Sequence, residues 1–270
     1  MIQIEHVGEV TKFRLARSVW GMAYYFTAAY WVDGLMVDTG CLYTVPELLS
    51  ALEDCHVDAI VNTHSHEDHV AGNAALQARH NVKVLAHEEA LEYLSDPGKR
   101  KLRPYQRVLW GYPQACTPSA IGDVVETRNL RFQVIDTPGH SPDHVSLFEP
   151  ERGWLFTGDA YVGGRDRSLR ADYNIWGIIA SLKKMVSLEP RVLFTGSGSV
   201  RYDASQELVS KIDYLEEMGG RVLDLRAKGW TRPRIRKHLL GPEQSIYYIT
   251  LGNFSARHLI RSYLEDRSCG

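Results

Sequence analysis

The 270-residue sequence predicts a mixed α/β fold. Three observations predict it: short apolar runs alternate with stretches of helical spacing through the first half, a second block of strand-like runs follows residue 130, and residues able to carry chemistry stand just after strands in both halves.

Taken in order, Val10 to Arg17 alternate loosely, and the run Tyr24 to Tyr30 is separated from Leu35 to Val37 by Asp33-Gly34, a two-residue hairpin signal. Pro46 suits the first turn of a helix whose apolar stripe is Leu48, Leu49 and Leu52. Ala59 to Asn62 reads as a strand, Val70 to His80 as a helix, Val82 to Ala86 as a strand, and Glu88 to Leu94 as a helix stopped by Asp96-Pro97-Gly98. His87, just past a strand, fits an exposed loop better than a site residue.

From Lys99 to Ala120 the pattern breaks into basic, aromatic and proline residues, including Arg103, Arg107, Trp110, Tyr112 and Pro113, which suits either a substrate wall or a surface segment closing the core. Strands resume at Leu130 to Ile135, Val145 to Phe148, Trp154 to Thr157 and Val192 to Phe194. After Ser199 the texture is helical. Leu208, Ile212 and Leu215 share one face, Gly219-Gly220 predicts a stop, and Val222, Leu223 and Leu225 begin another helix. Thr231 is a candidate N-cap for a basic helix, and the last helix spans Ser255 to Glu265. The expected division is a main domain of residues 1–202 and a C-terminal helical extension of residues 203–270.

The composition, 44% hydrophobic and 24% charged, is that of an ordinary globular chain and excludes a disordered one. With 31 Lys and Arg against 33 Asp and Glu there is no global pull toward nucleic acid or an anionic membrane. Met1 to His6 lack the features of a signal peptide and no apolar run is long enough to span a bilayer, so a cytoplasmic location without a membrane partner is expected. Cys41, Cys55, Cys116 and Cys269 form no C-x-x-C pair, which fits reduced thiols; Cys41 reads as a small buried residue.

The chemistry concentrates in Thr63-His64-Ser65-His66-Glu67-Asp68-His69. Alternate residues in an extended turn point the same way, so His64 and His66 can grip one ion, while Asp68 and His69, at the bend into the next helix, can reach a neighbouring one. A bland account, a surface loop with Asp68 as helix cap, leaves the density of ligands unexplained.

With its H-x-H-x-D-H spacing, His140 in Thr137-Pro138-Gly139-His140-Ser141, Asp159 in Thr157-Gly158-Asp159 and the upstream Asp38-Thr39-Gly40, the chain resembles the metallo-beta-lactamase superfamily over about residues 20 to 200. The resemblance implies a four-layer αβ/βα sandwich with metals at one edge between the sheets. It further implies a first metal on His64, His66 and His140, and Asp159 bridging to a second held by Asp68 and His69. Zinc is the default, one or two ions, with iron or manganese also suited to such ligands. Asp68 is the candidate to orient the attacking water and relay its proton. The family's last histidine is replaced by Ser197, in Thr195-Gly196-Ser197-Gly198-Ser199, which weakens the second position; His144 and His258 are candidates to substitute or to support the ligands.

In texture the chain looks nearest to the branch of beta-lactamase-like endoribonucleases and glyoxalase II-like enzymes. The implied function is a metal-dependent hydrolase in which metal-activated water attacks an ester, thioester or lactone-type small molecule. Alternatives are a single-stranded RNA or phosphodiester nuclease, a mononuclear iron persulfide dioxygenase, and a metal-binding protein without catalysis. Nucleic acid is the less favoured partner, and a homo-oligomer is compatible with aromatics such as Trp110, Tyr112, Tyr247 and Tyr248.

Overall fold

The computed structural model describes residues 1–19 and 22–265; Cys269 lies outside them. The chain opens with β1 (Ile2–Val7), β2 (Val10–Val19), β3 (Met22–Val32) and β4 (Leu35–Val37), each antiparallel to the one before. The hairpin at Asp33-Gly34 has both residues at positive φ, 47° and 83°, as a tight turn between twisted strands requires. Helix α1 (Val45–Ala51) then leads to β5 (Ala59–Val61), α2 (Asn73–His80) and β6 (Lys83–Ala86), with β4, β5 and β6 running parallel. After α3 (Leu91–Ser95) and α4 (Pro104–Leu109), β7 (Pro118–Ala120) completes a seven-stranded sheet in sequential order.

The second sheet has six strands: β8 (Val124–Glu126), β9 (Arg131–Asp136), β10 (Val145–Glu149), β11 (Trp154–Gly158), β13 (Val192–Thr195) and β14 (Val200–Arg201). Strand β12 (Leu169–Arg170) stands apart and pairs with β15 (Phe254–Ser255) from the C-terminal region. The helices of this half are α5 (Ile175–Val186), α6 (Ala204–Ala227), α7 (Arg232–Leu240), α8 (Ser245–Ile249) and α9 (Ala256–Leu264).

Side-chain alternation along the strands sorts the molecule into layers. Ala28, Tyr30 and Val32 of β3 face Phe132, Leu147, Phe156 and Phe194 of the second sheet, while Ala29 and the neighbouring Phe13 and Ile60 face Leu48, Leu52 and Leu76 of the α1 and α2 region. On the far side Leu155 and Leu193 pack with Ile179, Leu215, Ile235 and Leu259 from α5, α6, α7 and α9. The result is the four-layer αβ/βα sandwich. Tyr30 ties the two sheets by donating its hydroxyl to Thr195 O at 2.6 Å.

Three elements depart from the sequence expectation. Helix α2 begins at Asn73 rather than Val70, because Gly72 is held against Thr39, whose Oγ1 accepts its N–H at 3.1 Å; Asp68 is therefore not a cap. Helix α6 runs unbroken through Gly219-Gly220. A side chain at Gly219 would press on Tyr263 Cε1 at 3.0 Å and Trp176 Cη2 at 3.1 Å, so the glycine admits two rings rather than ending the helix. Helix α5 has no counterpart among the expected elements, although Asn174 caps it by accepting the N–H groups of Trp176 and Gly177 at 3.0 and 3.2 Å. Thr231 does precede α7, but its hydroxyl makes no cap bond.

Candidate metal centre

Each predicted ligand lies just past the C-terminal end of a strand: the His64 loop after β5, His140 after β9 and Asp159 after β11. These ends meet at one edge of the sandwich. One ligand atom each from His64, His66 and His140 lies within 4.8 Å of the others, and the same holds for His64, His69 and Asp159. The carboxylate of Asp159 stands between the two groups, Oδ1 being 3.6 Å from His69 Nε2 and Oδ2 3.7 Å from His140 Nε2. Asp68 approaches from the same side, with Oδ2 3.8 Å from His69 Nε2.

The surrounding hydrogen bonds decide which imidazole nitrogens face inward. Buried Asp38 receives the Thr63 N–H at 2.8 Å, the Thr63 hydroxyl at 2.8 Å and His69 Nδ1–H at 2.8 Å. With its proton spent on Asp38, the Thr63 hydroxyl accepts from His64 Nδ1–H at 3.0 Å. One carboxylate thereby fixes both tautomers and leaves His64 Nε2 and His69 Nε2 as lone pairs aimed at the centre. Both atoms are buried and have no hydrogen-bond partner. An orphaned polar atom in such a place costs about 1–3 kcal/mol, and a divalent ion would remove that cost at both. The residues present thus fit a metal.

The electrostatics agree. Burial holds His64 and His66 far below the usual imidazole range and His140 at about 3, so all three are neutral and ligand-ready. Burial opposes a charge on His69 too, yet Asp159, Asp38 and Asp68 raise it well above the ordinary value. The same carboxylates would favour a divalent cation among them. Burial pushes Asp68 itself up to about 7.

The other predicted residues take different places. His144 accepts the Asp159 N–H at Nε2, 3.1 Å, and donates from Nδ1 to Thr137 Oγ1 at 2.8 Å, so both nitrogens are engaged beside the centre. Gly158, at φ 48°, is required there, because a Cβ would lie 2.7 Å from His144 Nε2 and from Thr63 Cβ. The Ser197 loop abuts the site through Gly196 N–H to Gly158 O at 2.8 Å, but the Ser197 hydroxyl bonds within its own loop, 3.1 Å from Thr195 Oγ1. His258 on α9 bonds Gly252 O at 3.1 Å and does not join the cluster. His87 Nδ1 accepts the Glu89 N–H, and Cys41 is buried.

Several residues at the centre were not anticipated. His66 brings Nδ1 to 2.9 Å from His140 Nε2, and its Nε2 faces Arg170 Nη1 at 3.3 Å; Arg170 is held by a two-pronged pair with Asp172 at 2.8 and 2.9 Å. Tyr173 brings its hydroxyl to 3.2 Å from His140 Nε2. Arg100 grips the histidine loop through Ser65 O at 2.6 Å and Ser65 Oγ at 2.9 Å, and Asp143 accepts the Ser65 N–H at 2.9 Å. Arg170 and Tyr173 sit in a Gly- and Arg-rich stretch with no periodicity, so nothing in the sequence marked them. Arg103 and Arg107, singled out in sequence, are exposed, as the surface-segment alternative expects.

An α/β sandwich with a histidine-and-carboxylate cluster at the mouth between its sheets defines a class of metal-centred proteins. The sequence profile of the metallo-beta-lactamase superfamily matches residues 25–197, and the chain belongs to that superfamily. Among curated relatives it is 27% identical over 195 residues to the beta-lactamase-like protein 2 homolog of Drosophila melanogaster, covering 67% of this chain and 58% of that one. It is 36% identical over 105 residues to a hydroxyacylglutathione hydrolase of Nitrosococcus oceani, covering 38% of this chain and 33% of that one. The chain thus spans less than two thirds of the length of both. A solved metallo-beta-lactamase family protein of Thermus thermophilus superposes with a TM-score of 0.63 at 20% identity, over 94% of this chain and 90% of that one.

Proposed function

We propose that the chain is a metal-dependent hydrolase acting on a small-molecule ester, thioester or lactone. The observation that carries this reading is the pair of buried, unpartnered Nε2 atoms of His64 and His69 aimed at one space that His66, His140 and Asp159 also face. His64, His66 and His140 would hold a first ion, and His69, Asp68 and Asp159 a second, zinc being the first expectation. When bound, such ions acidify water and polarise a carbonyl. Asp68 is the group we assign to orient the attacking water and take its proton. The water oxygen adds to the acyl carbon, the C–S or C–O bond breaks, and the leaving group departs protonated. The Tyr173 hydroxyl, beside His140, is placed to donate to oxygen that gains charge.

Similarity to a hydroxyacylglutathione hydrolase supports a thioester among these substrates. The space beside the centre is walled largely by apolar side chains, which favours an acyl group over a polyanion such as RNA. The test is turnover of acyl thioesters, esters and lactones by protein loaded with zinc. Hydrolysis that His140→Ala lowers by about a hundredfold or more supports the reading. Cleavage of single-stranded RNA or oxygen uptake with a persulfide, without acyl hydrolysis, would overturn it.

A further inference from the structure

A cavity of about 230 Å³ opens directly off the metal centre, with His140 and Asp159 forming part of its wall. Most of the rest is apolar: Leu169 of β12, Ile178 of α5, Ile246 of α8 and Phe254 of β15, with Val162 and Tyr25 toward the surface. Val162 and Tyr25 are 44% and 50% exposed, so the apolar wall continues out to solvent and the space is open at a rim of the same character. The ion pair in the lining is already spent. Lys211 Nζ binds Asp166 Oδ2 at 2.8 Å and donates to Val162 O and Gly164 O at 2.9 and 2.8 Å, so it pins the 162–166 loop and offers no free charge to an occupant.

This wall is assembled from distant parts of the chain. The β12–β15 pairing, Leu169 with Ser255 and Arg170 with Phe254, brings residues of the C-terminal region to the loop that follows Asp159. Asn253 is anchored in turn by donating to Tyr105 Oη at 2.7 Å. The same short ladder sets Arg170 beside His66 and Phe254 beside the cavity.

We infer that this cavity is an acyl-chain pocket, and that the acyl group of the substrate is a straight aliphatic chain extending from the metal centre between Leu169, Ile178, Ile246 and Phe254. The inference rests on the proposed hydrolase reading for its placement of the acyl carbon. An apolar space next to ligand residues, with its charges paired, gains free energy only from an apolar occupant attached to a group the centre itself binds. A carboxylate or thioester carbonyl is such a group. Each added methylene that leaves water should then tighten binding about fourfold until the pocket is full.

The experiment is calorimetric titration of the zinc-loaded protein with straight-chain carboxylates from acetate to decanoate, with no turnover required. Kd is expected to fall about fourfold per methylene over several steps. Ile246→Asp should flatten that series, and Ile246→Trp, which fills space without adding charge, should shift the best chain to a shorter one. A Kd independent of length in the wild-type protein, or a slope that neither variant alters, would overturn the pocket. If the length dependence is found and yet no acyl thioester or ester is hydrolysed, the hydrolase reading fails and the pocket stands.

Discussion

Asp38 is the residue on which the centre turns. It occupies φ 60°, a left-handed conformation that Asp tolerates better than most residues other than glycine, and from there reaches Thr63 and His69 together. Asp38→Asn keeps the size but can leave an amide donor facing His69 Nδ1–H, so the tautomer that presents Nε2 inward is lost. Metal affinity should drop roughly 10- to 100-fold with the fold intact, as read by competition titration against a chelating dye. An unchanged affinity would show that Asp38 serves only to pack the loop. Ser197 gives the complementary gain. Its loop touches Asp159 through Gly158, so Ser197→His should raise affinity for a second ion in the same titration, and unchanged binding would mean the position does not line the centre.

At the scale of elements, the two glycines of α6 separate packing from propensity. Gly219 is buried against Tyr263 and Trp176, whereas a Cβ at Gly220 meets nothing within 4 Å. Gly219→Leu should destabilise by about 1–3 kcal/mol through overpacking. Gly220→Ala should stabilise by roughly 1 kcal/mol through helix propensity, both measured by urea unfolding. The apolar stripe Leu208, Ile212, Leu215 and Val222 keeps helical spacing across the pair, so the unbroken helix is visible in the sequence once periodicity is set above the paired glycines. The strands that deliver the histidines and Asp159 were legible because each carries its own apolar run. Strands β12 and β15, two residues each, were not, since they exist only through pairing with one another across the fold.

For the whole molecule, the fold class followed from local alternation, but the cavity could not, because its walls include residues of β3, the loop after β11, β12, α5, α6, α8 and β15. The candidate ligands stood out for the opposite reason. Four of them fall within six consecutive residues, and contiguity survives without knowledge of tertiary structure. Asp38 and His144 were marked in the sequence, one by its motif and the other as a candidate support; what the sequence withheld is how they act, Asp38 through Thr63 and His144 through the Asp159 backbone, together with Arg170 beside His66. Among the described residues no helix is long and apolar enough to cross a membrane.

The central claim, that these side chains hold divalent metal, is tested most directly by elemental analysis of protein purified without added metal or chelator, beside His64→Ala with its folding checked by circular dichroism. The account predicts about one or two ions per wild-type chain and loss of most of them in the variant. A folded His64→Ala protein with wild-type metal content, or a wild-type chain that takes up no divalent ion even on titration with zinc, would contradict it.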